Sequence, residues 1–313
     1  MSTITVDQAV LSTMIGAPVV AGEPMARHSS WRVGGPADYF VRAQSTAVLK
    51  QAVLTARANA LPCLIIGHGT NILVADAGVR GLVVHAECDS YMLIEREDTA
   101  LLNAEAGASL PLLANSLARK GWAGLEWAVG VPSALGSAVV NNSGAHGSCI
   151  ADSIVRAVVL DAAGDEAIIE TANMDFGYRH SRFKGQHEPR EVILSAELLL
   201  RREDPAAILA RARKYNEHRR QTQPSDPSAG SVFQNPPNDF AGRLLEAAGL
   251  KGTRIGGAMV SMVHANFFVN MGTAGAADLF ALIQLAQARV YDRFGVRLQT
   301  EIEFVGEWQH ETA

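Results

Sequence analysis

Apolar positions recur every three or four residues through STAVLKQAVLTARANALP (45–62), behind a serine suited to accept from the first free N–H groups. That pattern predicts a capped helix. The period then shortens. CLIIG and GLVVH (81–85) are short apolar runs bounded by turn residues, which predicts two buried strands with HGTN turning between them. Spacing predicts a further helix over 110–121, ended by Gly121, and a hairpin over 155–169 that turns at Ala-Gly-Asp.

Asp204-Pro205 opens another helix, aspartate as cap and proline at the first helical position, reaching about Arg220. Beyond it lie a helix near DFAGRLLEAAGL, a strand in ANFFVN, a long helix from about Ala274 to Phe294 and a terminal strand over 297–308. Alternation in that last strand puts Glu301 and Glu303 on one face and Ile302 and Phe304 on the other. Mixed helices and strands predict an α+β fold. Joints near 88 and near 200–205 divide the chain into 1–87, 88–203 and 204–313.

Composition narrows the class. At 313 residues, with 48% hydrophobic and 19% charged positions, the chain can bury a sizeable core. A net charge of −5 without a basic run argues against nucleic acid as a partner. Cys63, Cys88 and Cys149 stand far apart, with no CxxC pair, and read as reduced thiols rather than a disulfide frame or zinc site; no metal is expected. The amino-terminal stretch lacks a basic start and carries Asp7, so no signal peptide is expected. Residues 123–140 include Glu126 and Pro132, which favours a glycine-rich loop over a membrane span. A cytoplasmic protein is expected.

Two glycine-rich loops carry candidate chemistry. Gly67-His68-Gly69-Thr70-Asn71 follows a buried strand, and glycines let bare N–H groups approach an anion. It is not the dinucleotide fingerprint of a Rossmann unit, because no GxGxxG opens a helix. GVPSALGSAVVNNSGAHG (130–147) has small and hydroxyl residues leading into a helix whose N–H groups suit a pyrophosphate. The plainer readings are a tight turn and a close-packed junction. Two such loops together favour one large phosphate-bearing cofactor.

Tyr178 and Arg179 lie in FGYRHSRFK, where a cation suits a carboxylate or a developing negative charge; the plainer reading is a cationic surface turn with Arg182 and Lys184. His180 has no partner at metal-ligand spacing. Arg219 and Arg220 sit near a helix end, where the dipole alone explains a cation. Ser231, in PSAGSVFQNP, lacks the GxSxG elbow of a hydrolase, so it is a loop hydroxyl that needs its surroundings to become a proton donor.

The order of these stretches resembles a known family. HSSWRVGGPADYF (28–40), IIGHGTNILVADAGVRG (65–81), GLEWAVGVPSALGSAVVNNSGAHG (124–147) and FGYRHSRFK come first. RRQTQPSDPSAGSVFQNP (219–236), AGRLLEAAGLKGTRIGGAMVSMVHANFFVN (241–270) and GVRLQTEIEFVGEW (295–308) come after them. Together they resemble the UDP-N-acetylenolpyruvoylglucosamine reductases (UDP-N-acetylmuramate dehydrogenases), flavoenzymes of peptidoglycan precursor synthesis. The resemblance implies a two-domain FAD-binding module of the vanillyl-alcohol-oxidase type and a third domain closing over substrate. It implies non-covalent FAD, NADPH as reductant, a UDP-sugar enolpyruvyl ether as substrate, and a monomer with no membrane partner.

Carried over by motif position, Arg179, Ser231 and Glu301 form the catalytic set, with Ser231 as proton donor. Gly67, His68, Gly69, Thr70, Asn71, Val131, Pro132, Ser137, Gly144 and Arg179 face the cofactor; Tyr178, Arg220 and Asn235 face the substrate. The short gap before EVILSAELLL implies the shorter, second type, without the tyrosine-bearing insertion. Five positions depart from the common pattern: His68 for glycine, Thr70 for serine, Ser133 for glycine, Gln234 and Val263 for lysines. The two lost cations leave Arg220, Lys251 and Arg254 to compensate. A flavoprotein oxidase with another substrate, and a flavin- or nucleotide-binding protein without turnover, are the competing readings. The third-domain stretch disfavours the former, and the joint presence of Arg179, Ser231 and Glu301 the latter.

Overall fold

Ser45 accepts from Val48 N–H at 3.3 Å and starts the helix Thr46–Ala58, whose Leu49, Ala52, Val53 and Ala56 are buried. Such local agreements recur along the computed structural model, which describes residues 6–185 and 191–308. The first residues read for a leader, and nearly all of the short gap read as marking the second type, lie outside those residues.

The chain divides into two compact units, each drawn from three stretches. The first comprises residues 1–21, 39–67 and 81–219. Its larger sheet runs in the order Glu166–Glu170, Ile154–Leu160, Val192–Arg202, Thr99–Glu105, Tyr91–Glu95, all antiparallel, with Trp122–Ala123 paired to the end of the central strand. In Thr99–Glu105 alternate residues Ala100, Leu102 and Ala104 are buried, the period of two expected of a strand with one covered face. The helix Leu110–Arg119 sets Leu110, Leu113 and Leu117 into the same core as Leu102, Leu198 and Trp122. The hairpin turn falls where expected: Asp161 accepts from Gly164 N–H and Asp165 N–H, each at 2.9 Å.

A smaller sheet runs Val19–Pro24, Pro36–Ala43, Val79–Ala86, Cys63–Ile66. Its last two strands are parallel, Cys63 opposite Leu82, and a parallel pair needs a crossover. Residues 67–78, which begin with the first glycine-rich loop, supply it. They contain a separate strand, Ile72–Val74, inside the turn expected to join only two.

The second unit comprises residues 22–38, 68–80 and 220–313. An antiparallel sheet of Arg254–Ile255, Ala258–Val260 and Phe268–Asn270 packs on the helix Ala276–Phe294 through Leu279, Leu282 and Ile283. Trp31 is fully buried in this core, its indole N–H donating to Phe268 O at 2.7 Å while Asn270 Nδ2 donates to Trp31 O at 2.9 Å. Ile72–Val74 pairs in parallel with Glu303–Val305, Ile72 opposite Glu303. The terminal strand expected over 297–308 is therefore confined to three residues, with Glu301 just ahead of it.

The helix Ala276–Phe294 ends on Gly295 at φ 67°. Its start is capped from afar: Asp76 Oδ1 accepts from Ala276 N–H and Oδ2 from Ala277 N–H, both at 2.9 Å. Asp76→Ala strips two N–H groups of their acceptor and is expected to cost about 1 kcal/mol locally. Amide exchange at Ala276 and Ala277 should quicken while the middle of the helix keeps its protection; unchanged exchange there refutes the cap. Among the described residues no helix is long and apolar enough to cross a membrane.

Candidate active site

The two glycine-rich loops contribute to the first unit at one point of contact. A Cβ on Gly67 would lie 2.6 Å from Ser137 Oγ and 2.8 Å from Ala134 Cβ, so only glycine brings the end of strand Cys63–Ile66 against this serine. Ser137 stands in the short helix Leu135–Val140. Its first N–H groups are not all open to a ligand. Leu135 N–H donates to Ala108 O at 2.9 Å and Gly136 N–H to Ala106 O at 2.8 Å. The expectation of a free helix start narrows accordingly, and the hydroxyl of Ser137 becomes the loop's clearest ligand-suited group. Val131 and Pro132 lie ahead of it, with Val131 N–H donating to Ala128 O at 2.9 Å.

Gly144 opens a small hairpin, Gly144–Ala145 with Ser148–Cys149, turned by His146 and Gly147 at φ 56° and 84°. Positive φ at both turn residues is the primed geometry that fits strand twist. A Cβ on Gly144 would lie 2.5 Å from Ser148 O, so the strands close only on glycine. The His146 ring stacks on Tyr215, centroids 4.2 Å apart and planes at 10°. Burial, then the charges of Arg219 and His218, hold its imidazole below the usual histidine range.

Arg179 sits on a two-residue turn with Tyr178, closed by Gly177 N–H to His180 O at 3.1 Å and His180 N–H to Gly177 O at 3.2 Å. Its φ is 54°, a region that costs a bulky residue free energy and persists only where surroundings impose it. They do so here. Asn142 Nδ2 donates to Gly177 O at 2.8 Å, and Lys184 Nζ to Arg179 O at 3.1 Å. The guanidinium donates from Nη1 to Gly144 O at 3.2 Å, so Arg179 and Gly144 come together. Of the other cations in the turn, Arg182 is exposed and forks onto Glu191 at 3.1 and 2.9 Å. Tyr178 remains exposed beside the Arg179 guanidinium, and His180 lies 3.4 Å from Asp175. Sequence spacing gave no sign of Asn142 as the turn's anchor.

In the second unit Gly69, at φ 62°, stands so close to His28 O that no side chain fits. Ser30 N–H donates to Gly69 O at 3.0 Å. His68 is exposed and Thr70 half-buried. Asn71 Nδ2 donates to Glu301 O at 3.3 Å, and Glu303 N–H to Asn71 O at 2.9 Å. The first loop is thereby tied to the residue expected to join the catalytic set.

Ser231 lies on a short extended segment laced on two sides. It forms an antiparallel bridge with Phe267, and Val232 N–H donates to Asn266 O at 2.8 Å. On the other side Glu301 N–H donates to Val232 O at 2.8 Å and Gln234 N–H to Gln299 O at 2.9 Å. Asn71, Ser231 and Glu301 thus share one backbone network, while Arg179 belongs to the first unit. Asn235 Oδ1 accepts from Ala241 N–H at 3.0 Å and caps the helix Ala241–Ala247. Of the cations expected to replace the missing lysines, Lys251 pairs with Glu246 at 2.8 Å and Arg254 donates to Met259 Sδ at 3.2 Å. Arg220 is exposed in the last turn of its helix, while Arg219 is half-buried, and desolvation pushes its guanidinium below the usual range.

The model of the family described as "UDP-N-acetylenolpyruvoylglucosamine reductase, C-terminal domain" matches residues 223–305, and that described as "FAD binding domain" matches 37–169. The chain is 43% identical over 285 residues to the UDP-N-acetylenolpyruvoylglucosamine reductase of Chloroflexus aurantiacus, covering 90% of this chain and 96% of that one. It is 42% identical over 298 residues to the enzyme of that name from Moorella thermoacetica, covering 95% and 96%. Among solved structures it is similar to the UDP-N-acetylenolpyruvylglucosamine reductase of Thermus caldophilus, with a TM-score of 0.77, 33% identity, and 92% and 98% of the two chains covered.

Proposed function

The chain belongs to the UDP-N-acetylenolpyruvoylglucosamine reductase family, an FAD-dependent oxidoreductase of peptidoglycan biosynthesis, and from that premise we propose that NADPH is its reductant and Ser231 its proton donor. The carrying observation is the segment around Ser231. It holds a small hydroxyl on backbone fixed from both sides, and the same network fixes the main chain of Glu301.

The residues fit FAD. Bare backbone at Gly67 against the Ser137 hydroxyl offers what a pyrophosphate takes, and Gly69, Thr70, Asn71, Val131, Pro132 and Gly144 extend the set. His68 stands with that set without a covalent link. When bound, FAD carries hydride from NADPH to the enolpyruvyl double bond. Reduction of that bond leaves negative charge on the carbon beside the carboxylate, delocalised as an enolate. Arg179 is the cation suited to that charge, and Glu301 binds the same unit. Ser231 Oγ–H gives its proton to that carbon, completing the lactyl ether. Tyr178, Arg220 and Asn235 contact the UDP-sugar.

The enzyme works in this reading as a cytoplasmic monomer of the second type, serving cell shape and division, with 1–87 and 88–203 as flavin subdomains and 204–313 as substrate domain. Purified protein should be yellow and should oxidise NADPH rapidly only when the UDP-enolpyruvyl sugar is present. Colourless protein, or NADPH oxidation indifferent to that sugar, overturns the reading.

A further inference from the structure

We propose that Asn266 is a positioning residue for the catalytic segment: its side-chain amide stands in for a missing stretch of strand beside Ser231. The inference rests on the reading of Ser231 as proton donor.

In a trans peptide the C=O of one residue and the N–H of the next point opposite ways, and both need partners when buried. Phe233 is 1% exposed. The C=O of Val232 and the N–H of Gln234 bond to Glu301 N–H and Gln299 O on one side, so the N–H and C=O of Phe233, which share those two peptides, face the other. The segment opposite pairs by backbone only as far as Asn266 O, which accepts from Val232 N–H. Asn266 then continues the ladder with its side chain. Phe233 N–H donates to Oδ1 at 3.0 Å, and Nδ2 donates to Phe233 O at 2.8 Å. The residue is 3% exposed, and its own N–H is held by His264 Nδ1 at 3.2 Å.

One planar amide therefore closes two peptide groups two residues beyond Ser231. An amide alone suits the place, having one acceptor and one donor edge side by side. Aspartate matches its shape but turns a second oxygen on Phe233 O. Leucine keeps the branched outline with more bulk and satisfies neither group. Loss of the clamp frees the segment to slide or tilt, which moves Ser231 Oγ relative to the reacting carbon without touching any ligand.

The test begins on the unmodified holoenzyme. Amide exchange at Phe233 should be as slow as at core strand residues such as Phe268; exchange at the rate of open loops overturns the proposal. In Asn266→Asp and Asn266→Leu, Phe233 and Val232 should exchange at least about tenfold faster, as expected when a buried pair is lost, with the helix Ala276–Phe294 unchanged. Reoxidation by the enolpyruvyl sugar should slow by about tenfold to a hundredfold while reduction by NADPH keeps its rate. Adding Ser231→Ala to either variant should slow reoxidation no further than Ser231→Ala alone, the non-additivity of residues acting through one group. Normal reoxidation despite faster exchange, equal loss in both half-reactions, or additive losses would each refute positioning. If Ser231→Ala by itself leaves reoxidation intact, the reading of Ser231 fails instead, and exchange still decides whether Asn266 orders the segment. Should the aspartate variant fail to fold, the leucine variant and the exchange of the unmodified protein decide between the outcomes.

Discussion

Ser231→Ala is expected to keep flavin reduction by NADPH at its normal rate and to slow reoxidation by the enolpyruvyl sugar by about 10²–10⁴-fold, the range of a single positioned proton donor. The split arises from where the residue sits. Neighbouring peptide groups carry the bonds to Asn266 and Glu301, so removing Oγ should leave the lacing intact. What disappears is one proton at one step. Rapid mixing, monitored at the flavin absorption band, separates the two half-reactions. Equal losses in both would make Ser231 a shaping residue. Ser231→Cys supplies a transferable proton on a larger, weakly hydrogen-bonding sulfur and should recover part of the rate.

Arg179→Met should lower kcat by about 10²–10³-fold, the scale of losing one preorganised group that stabilises developing charge. Arg179→Lys keeps the charge and loses the fork, so it should recover only part. A third variant separates function from fold. Because Arg179 holds φ at 54°, Arg179→Gly relieves a conformation costing about 1 kcal/mol in other residues. The glycine variant should thus unfold no earlier than the parent and yet be as inactive as the methionine variant. A glycine variant that keeps its activity removes Arg179 from the mechanism.

What the sequence made legible was local. The cap at Ser45, the aspartate before Pro205 and the turn at 161–165 satisfy their bonds within a few residues, so spacing reveals them. The strand Ile72–Val74 stayed hidden because its partner lies at Glu303–Val305, and three apolar residues after a glycine turn look like more turn. Alternation over 297–308 put Ile302 and Phe304 on one face, but only Ile302 is buried and Phe304 is exposed, because residues 299–301 bond across to 232–234 rather than along a continuing strand. In the site, spacing made Ser231 a loop hydroxyl and Arg179 a surface cation; only the resemblance singled them out. Asn142 and Asn266 were illegible for a common reason: each acts on backbone groups, whose demands leave no mark in residue type.

The parallel pairing of Ile72–Val74 with Glu303–Val305 also bears on how this protein is made. More than two hundred residues separate the partners, so the earlier strand leaves the ribosome long before the later one exists. At about 5–20 residues per second, its open edge waits for roughly 10–50 s. During that time the nascent chain holds an apolar strand without its native neighbour, and closing so long a loop is slow as well as late. Chaperone dependence should therefore be set by the arrival of the last stretch of chain, not by the size of either core.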